Sequence, residues 1–309
     1  MIRGGRDFFS FILFMQLVDL KREFRVFALC ERGMRGKTLR EIFSILSRLC
    51  TFVSSQNMAE LNSENITKFL RYGRMERAWS AKTFRIYRQY LKTFFTWCCK
   101  KGYVSTNPVT SIECPPLPKR IPRCLSHQEA KKVFYHAHLY LWQTSWQSRR
   151  NEAIIATFMM AGLRLQELLN LTTEDIHLKE EEIFVRVGKG EKDRIVPIHP
   201  RLQQLLCNYR EQSKLEHRKS HHFFHSSRSS KPLLGRDIRN VFNKITASSG
   251  IKFTPHMLRH TFAREMLDSG LDLFKLKELL GHSNIATTQI YASISKRKLK
   301  ESIRTIRIY

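Results

Sequence analysis

Five side chains near the C-terminal end of the sequence could together carry out chemistry on a phosphate. They are His256, Arg259, His260, His282 and Tyr291. An arginine holds a phosphate in a planar fork, a histidine moves protons near neutral pH, and a tyrosine can attack phosphorus. Nothing in this run is typical of a metal site. The run therefore predicts a phosphoryl transfer that uses no metal and no other cofactor.

Two upstream segments add groups of the same kind. Arg164 and Glu167 lie one helical turn apart, so we expect Glu167 to support an arginine or a nearby histidine rather than to react. A second arginine matters because phosphodiester cleavage passes through a crowded phosphorus with extra negative charge. Two guanidiniums, Arg164 and Arg259, could neutralise that charge and hold the phosphate in line.

The order of these segments resembles the tyrosine recombinases, the phage integrase family, and in particular its Xer-like and integrase types. Residues 161–168 (Ala-Gly-Leu-Arg-Leu-Gln-Glu-Leu) are similar to the family's first conserved box, although Ala161 and Gln166 are unusual there. Residues 188–197 resemble its lysine hairpin, and the histidine, arginine and tyrosine run resembles its second box and nucleophile. The likeness extends from about Pro122 to Ser295, and each motif is weak alone but specific in this order. The preceding helical region is similar, more weakly, to the family's core-binding domain.

The resemblance implies a role for each matching residue. Tyr291 is the nucleophile that forms a 3′-phosphotyrosyl bond, and His256 accepts its proton. Lys189, at the hairpin tip, is the general acid for the leaving 5′ oxygen, with Lys192 close enough in sequence to be confused with it. His282 donates a hydrogen bond to the phosphate, and His260 packs or supports. The predicted catalytic set is Arg164, Lys189, His256, Arg259, His282 and Tyr291, with Glu167 and His260 as supporting residues and no metal ligand.

The overall charge points to nucleic acid as the partner. The chain of 309 residues has 54 Lys and Arg against 27 Asp and Glu, a net charge of +27, and a pI near 10.2. An excess of this size repels itself unless a polyanion relieves it, although a basic surface kept for solubility is the alternative. We predict double-stranded DNA as the partner. The candidate DNA-binding residues are Lys82, Arg85, Arg88, Lys92, Lys119, Arg120, Arg123 and Lys192.

Hydrophobic periodicity predicts a mainly helical protein in two parts. Helices are expected at 37–52, 62–72 and 81–101, the last burying one apolar face and exposing a basic one. Prolines between 105 and 125 break both helix and strand. The second part should begin with a helix from His127 to about Trp146, opened by a Ser126–Glu129 capping box, followed by a helix at 150–160. Alternating residues at 183–187 and 194–198 predict two strands joined by a turn.

We therefore predict residues 1–112 as an N-terminal helical DNA-binding domain, 113–125 as a linker and 126–309 as a catalytic domain. The resemblance implies a SAM-like core-binding bundle for the first and an α+β fold with a small antiparallel sheet for the second. Seven cysteines without a Cys-x-x-Cys pair favour reduced thiols in a cytoplasm. The apolar stretch 8–18 is too short to span a membrane, so we expect a helix that packs on the first domain.

The function implied by the resemblance is site-specific DNA recombination. DNA would be cut and rejoined through phosphotyrosine without metal or ATP, by a homo- or hetero-tetramer on two specific DNA sites. The basic tail, residues 296–309, could dock on a neighbouring subunit or lie on phosphate. Two alternatives are a type IB topoisomerase, which shares the tyrosine, arginines and lysine, and a catalytically idle DNA-binding protein.

Overall fold

The chain folds into two compact units, residues 1–119 and 120–309. The computed structural model describes residues 17–118, 122–186, 193–218, 220–226, 231–282 and 288. The fold is mainly helical, as predicted, with one small sheet. Within the described residues, no helix is long and apolar enough to cross a membrane.

The described residues of the first unit form a bundle of four α-helices. They are α1 (Leu17–Val26), α2 (Gly36–Val53), α3 (Ser63–Met75) and α4 (Ala81–Lys100). Side-chain caps fix two of their starts: Asn62 accepts from the Asn65 amide at 2.9 Å and Ser80 from the Thr83 amide at 3.1 Å. The predicted helices at 37–52, 62–72 and 81–101 are confirmed to within a few residues.

Aromatic side chains fill the centre of this bundle. Phe24, Phe94 and Trp97 are almost fully buried and meet edge-on or tilted, with ring centroids 5.3–5.9 Å apart. The predicted helix at the apolar N-terminus is described only from Leu17, where α1 buries Leu17 and Leu20 against the same core.

The second unit has seven α-helices and one sheet among its described residues. The helices are α5 (His127–Leu139), α6 (Ser145–Met160), α7 (Leu165–Asn170), α8 (Pro200–Leu215), α9 (Gly235–Ser249), α10 (Pro255–Asp268) and α11 (Leu273–Leu280). The capping box of Ser126 and Glu129 opens α5 as predicted. The predicted extension of α5 to Trp146 is wrong. The chain becomes extended at Tyr140, and Thr144 caps a new helix by accepting from the Gln147 amide at 3.2 Å.

The sheet has three antiparallel strands in sequence order, β1 (Ile176–His177), β2 (Glu182–Val185) and β3 (Arg194–Pro197). Strands β2 and β3 confirm the predicted hairpin, and their register pairs Ile183 with Val196. The sequence pattern did not predict β1 or α8. The first is only two residues long, and the second begins at Pro200 behind a His199 side-chain cap.

Candidate active site

Glu167 lies at the centre of the candidate active site, in the first turn of α7. Its Oε2 accepts a hydrogen bond from the Arg164 amide at 2.8 Å, so the carboxylate caps the N-terminus of the helix. The Glu167 side chain is only 6% exposed. A carboxylate this deeply buried requires charged partners.

Three guanidiniums supply that partnership. Arg164 Nη1 lies 2.7 Å from Glu167 Oε1, while Arg194 makes a two-pronged contact at 3.0 Å to Oε1 and 2.8 Å to Oε2. Arg259 Nη1 is 3.8 Å from Oε2. Burial raises the pKa of Glu167, but the hydrogen bonds and charges of Arg194 and Arg164 outweigh it and lower the pKa to about 2. One carboxylate thus faces three guanidiniums.

Arg259 projects from α10 into the interior and has a side chain only 2% exposed. Its Nη1 donates to the carbonyl of Gly162 at 2.8 Å and its Nη2 to the carbonyl of Leu280 at 2.6 Å. Gly162 has φ +61°, and a Cβ at this position would lie 2.3 Å from the Phe262 ring. Glycine is therefore required where the chain passes α10 just before Arg164.

His282 lies beside these arginines, just after α11. Its Nε2 is 3.0 Å from Arg259 Nη2, and because arginine can only donate, Nε2 accepts. The ring proton is then on Nδ1, which lies 2.9 Å from Thr288 Oγ1. Burial first, and then the charges of Arg259, Arg164 and Arg194, lower the pKa of His282 to about 4. In this arrangement, donation from Nε2 to a phosphate requires protonation or a change of tautomer.

The two remaining histidines of the predicted site lie one turn apart on α10. His256 is exposed and His260 half-buried, with ring centroids 4.3 Å apart. Burial, followed by the charges of His256 and Arg259, lowers the pKa of His260 to about 4. A histidine with so low a pKa is neutral at pH 7, which fits a packing role better than a charged one.

The fold thus brings together Arg164, Glu167, Arg259 and His282 from segments far apart in sequence, with His256 and His260 on the helix that carries Arg259. Lys189, Lys192 and Tyr291 lie outside the described residues. Within the described part of the chain, no group of three or more His, Cys, Asp or Glu side chains could hold a metal ion.

Sequence reasoning missed Arg194, which binds Glu167 through both terminal nitrogens. The alternation of residues along β3 could have predicted that Arg194 is buried. Arg194 lies two residues before Val196, so the two share the face of β3 on which Val196 is buried. An arginine on a buried face must have a carboxylate partner.

The predicted basic face of α4 is only partly correct. Lys82 is exposed, but Arg85, Arg88 and Lys92 are half-buried. Arg85 Nε donates to the carbonyl of Pro115 at 2.9 Å and Arg88 Nη2 to that of Thr110 at 3.0 Å. These two arginines therefore hold the segment that follows α4 instead of standing free. Arg123 is exposed, and Lys119 and Arg120 lie outside the described residues.

Comparison with known proteins agrees with this arrangement. The model of the phage integrase family matches residues 123–298, and that of the phage integrase N-terminal SAM-like domain matches residues 24–104. The chain is 30% identical to tyrosine recombinase XerD of Listeria monocytogenes, over 92% of this chain and 96% of that protein. It is also 30% identical to tyrosine recombinase XerA of Pyrococcus furiosus, over 87% and 96% of the two chains.

Solved structures show the same fold. A XerH site-specific recombinase bound to its palindromic difH substrate, in a post-cleavage complex, aligns with TM-score 0.73 at 21% identity, covering 89% of this chain and 81% of that chain. A lambda integrase dimer bound to a COC′ core site aligns with TM-score 0.69 at 20% identity, covering 88% and 97%. The chain therefore belongs to the phage integrase family and is a tyrosine recombinase, a DNA strand transferase of site-specific recombination.

Proposed function

We propose that this enzyme cuts and rejoins double-stranded DNA at specific sites through a 3′-phosphotyrosyl intermediate, without metal or ATP. The observation that carries the proposal is the convergence of three guanidiniums on the single carboxylate of Glu167. Cations gathered in a mostly buried site repel one another, and an additional anion would relieve that repulsion. A phosphodiester, whose negative charge grows in the transition state, is the ligand that such a site would stabilise.

In the proposed reaction Tyr291 Oη attacks phosphorus and its proton passes to His256. The P–O5′ bond breaks as the Oη–P bond forms, and Lys189 gives a proton to the departing 5′ oxygen. Arg164 and Arg259, which we call the phosphate clamp, hold the non-bridging oxygens. His282, once protonated at Nε2, adds a hydrogen bond to the same phosphate.

The return reaction needs no external energy, because the phosphotyrosyl bond conserves that of the phosphodiester. Attack by a 5′ hydroxyl from a partner strand recombines two DNA molecules. Attack by the original hydroxyl only relaxes the duplex, as in a topoisomerase. We also propose that residues 1–112 and 126–309 are the DNA-binding and catalytic domains, joined by linker 113–125. The active form would be a homo- or hetero-tetramer in the cytoplasm.

The test uses the covalent intermediate itself. The protein is incubated with fragmented chromosomal DNA of its source organism, adducts are trapped with detergent, and the attached ends are sequenced. We expect adducts at a defined sequence with wild-type protein and none with Tyr291→Phe. Tyr135→Phe is the control, because Tyr135 is an exposed tyrosine of the second unit. Adducts that persist in Tyr291→Phe would exclude Tyr291 as the nucleophile.

A further inference from the structure

Arg194 contacts the carboxylate at the centre of the site, although no role was predicted for it from the sequence. We infer that Arg194 is a positioning residue that fixes the phosphate clamp through Glu167 and through the end of α11. This inference rests on the proposed function, since it concerns how Arg164 and Arg259 are held for catalysis.

The guanidinium of Arg194 contacts two separate segments. Nη1 and Nη2 reach the two oxygens of Glu167 at 3.0 and 2.8 Å, and Nε donates to the carbonyl of Leu279 at 2.8 Å. The side chain is 8% exposed. All three guanidinium nitrogens of Arg194 therefore donate to groups of the protein, so the residue can hold Glu167 and the end of α11 in place.

Glu167 transmits the position of Arg194 to Arg164. Glu167 Oε1 accepts from both Arg194 Nη1 and Arg164 Nη1, and Oε2 accepts from Arg194 Nη2 and from the Arg164 amide. Both oxygens are thus shared between the two arginines. Without Arg194, the carboxylate could rotate and carry the Arg164 guanidinium away from its place.

The end of α11 connects Arg194 to the rest of the clamp. Three consecutive carbonyls there each accept from a different arginine: Leu279 from Arg194 at 2.8 Å, Leu280 from Arg259 at 2.6 Å and Gly281 from Arg164 at 2.9 Å. The last carbonyls of a helix lack partners within the helix and carry partial negative charge. The C-terminus of α11 therefore sets the spacing of all three guanidiniums.

Gly281 shows how closely Arg194 fits this turn. Its φ is +64°, and a Cβ there would lie 2.9 Å from Arg194 Nη1. A side chain at this position would therefore displace the Arg194 guanidinium as well as strain the backbone. The next residue is His282, so Arg194 packs beside the turn that presents the histidine.

A second arginine of the same hairpin provides a matched control. Arg186, just after β2, donates through Nε to the buried Asp175 at 2.8 Å, so it too neutralises a buried carboxylate. Its side chain, however, is 62% exposed, and Asp175 bonds to Thr172 rather than to Arg164 or Arg259. Loss of Arg186 removes an ion pair from the sheet without touching the clamp.

The experiment measures single-turnover covalent cleavage at saturating DNA. The probe is a duplex carrying the sequence at which wild-type adducts map. We expect Arg194→Gln to cleave about 100-fold more slowly than wild type, as displacement of an aligned group does, while Arg186→Gln stays within about threefold. DNA affinity should change little in either variant. Equal rates for Arg194→Gln and Arg186→Gln would overturn the inference.

A second duplex distinguishes a misplaced phosphate clamp from a general loss of structure in the Arg194→Gln variant. Its scissile phosphate is a methylphosphonate, in which a methyl group replaces one non-bridging oxygen and removes the negative charge. Because the clamp acts on that charge, the defect of Arg194→Gln should shrink to within about threefold on this duplex. A defect of unchanged size would show that Arg194 acts otherwise than through the clamp, and would reject the inference.

Arg194→Lys keeps the charge but cannot bind both oxygens of Glu167, so it should remain slow. It also serves as the test variant if Arg194→Gln fails to fold. Wild-type cleavage by Arg194→Lys would contradict the inference. The proposed function is judged separately by Tyr291→Phe. Adducts in that variant count against the mechanism, whereas normal cleavage by Arg194→Gln counts only against the role of Arg194.

Discussion

Positive charge is arranged differently in the two units of this chain. In the second unit, the side chains of Arg194 and Arg259 are 8% and 2% exposed, and their guanidiniums converge on the buried Glu167. In the first unit, Lys82 on α4 is exposed, and the half-buried Arg85 and Arg88 use part of their donors on the carbonyls of Pro115 and Thr110.

The difference separates two uses of a cation. A buried guanidinium held by carbonyls and a carboxylate cannot rearrange, so it can favour a transition state over the ground state. The charge of an exposed lysine is mobile and screened by salt. It therefore attracts any nearby DNA phosphate, in the ground state as much as in the transition state. We therefore expect the second unit's cations to control the rate of strand cleavage and the first unit's exposed cations to control affinity for DNA.

The largest effect should come from Arg259→Lys. Lysine keeps the charge but cannot donate to Gly162, Leu280 and His282 at once, so the clamp loses its geometry. Loss of one aligned donor to a developing anion costs about 100- to 1000-fold in rate. We expect a fall of that size in covalent cleavage at saturating DNA.

Arg264→Lys is the control for this variant. Arg264 lies on the same helix α10 and pairs with Glu265 and Asp268, outside the arginine cluster. Its cleavage rate should stay close to wild type. Two other results are conceivable: Arg259→Lys cleaves as fast as Arg264→Lys, or it loses only affinity for DNA. Either result would contradict the claim that the buried cations of the second unit control the rate of strand cleavage.

Much of this site could be predicted from the sequence. Arg164, Arg259 and His282 follow from residue type, order and family likeness, and the predicted support of an arginine by Glu167 agrees with the contacts found. Arg194 could not be given a role, because its contacts with Glu167 and with Leu279 are made 27 and 85 residues away in sequence. Such contacts depend on how β3, α7 and α11 pack, and local periodicity does not report this.

Prediction of the fold has the same limit, since local patterns do not report contacts between distant residues. The helices with strong apolar stripes were predicted to within a few residues, because their periodicity is local. The error at Trp146 arose because residues 127–146 contain no proline or glycine, so only the turn at Tyr140 and the Thr144 cap divide α5 from α6. The exposure of Arg85 and Arg88 was misjudged because their carbonyl partners lie 30 and 22 residues away.

The second effect concerns pH and stability. Ionised Glu167 has a pKa of about 2 instead of 4.5, and that depression corresponds to about 3 kcal/mol of folding free energy at neutral pH. Because the folded pKa is depressed, this contribution is complete above pH 4.5 and is lost as pH falls toward 2. Glu167→Gln should therefore destabilise the second unit at pH 7 and about half as much at pH 3, which lies between the two pKa values.

Hydrogen exchange of amides in α6 and α10 measures this difference without interference from the first unit. Glu152→Gln is the control, because Glu152 is equally buried but pairs with a single histidine, His138. The variant at Glu167 should lose more protection at pH 7 than the variant at Glu152. A destabilisation by Glu167→Gln that is the same at both pH values would mean that its ionic contacts contribute little.

The smallest effect should come from Lys82→Gln in the first unit. Lys82 is exposed near the start of α4, so its contact with DNA would be a screened one to phosphate. Removing one such contact weakens binding similarly for all sequences and lowers the slope of log affinity against log salt by about 1. The cleavage rate at saturating DNA should not change, because Lys82 lies outside the unit that holds the clamp.

Titrations of a duplex at several salt concentrations measure the slope. Lys68→Gln is the control, since Lys68 is already paired with Glu64 at 2.6 Å. An unchanged slope would remove Lys82 from the DNA interface, whereas a slower cleavage step would show that a first-unit cation acts on the transition state after all.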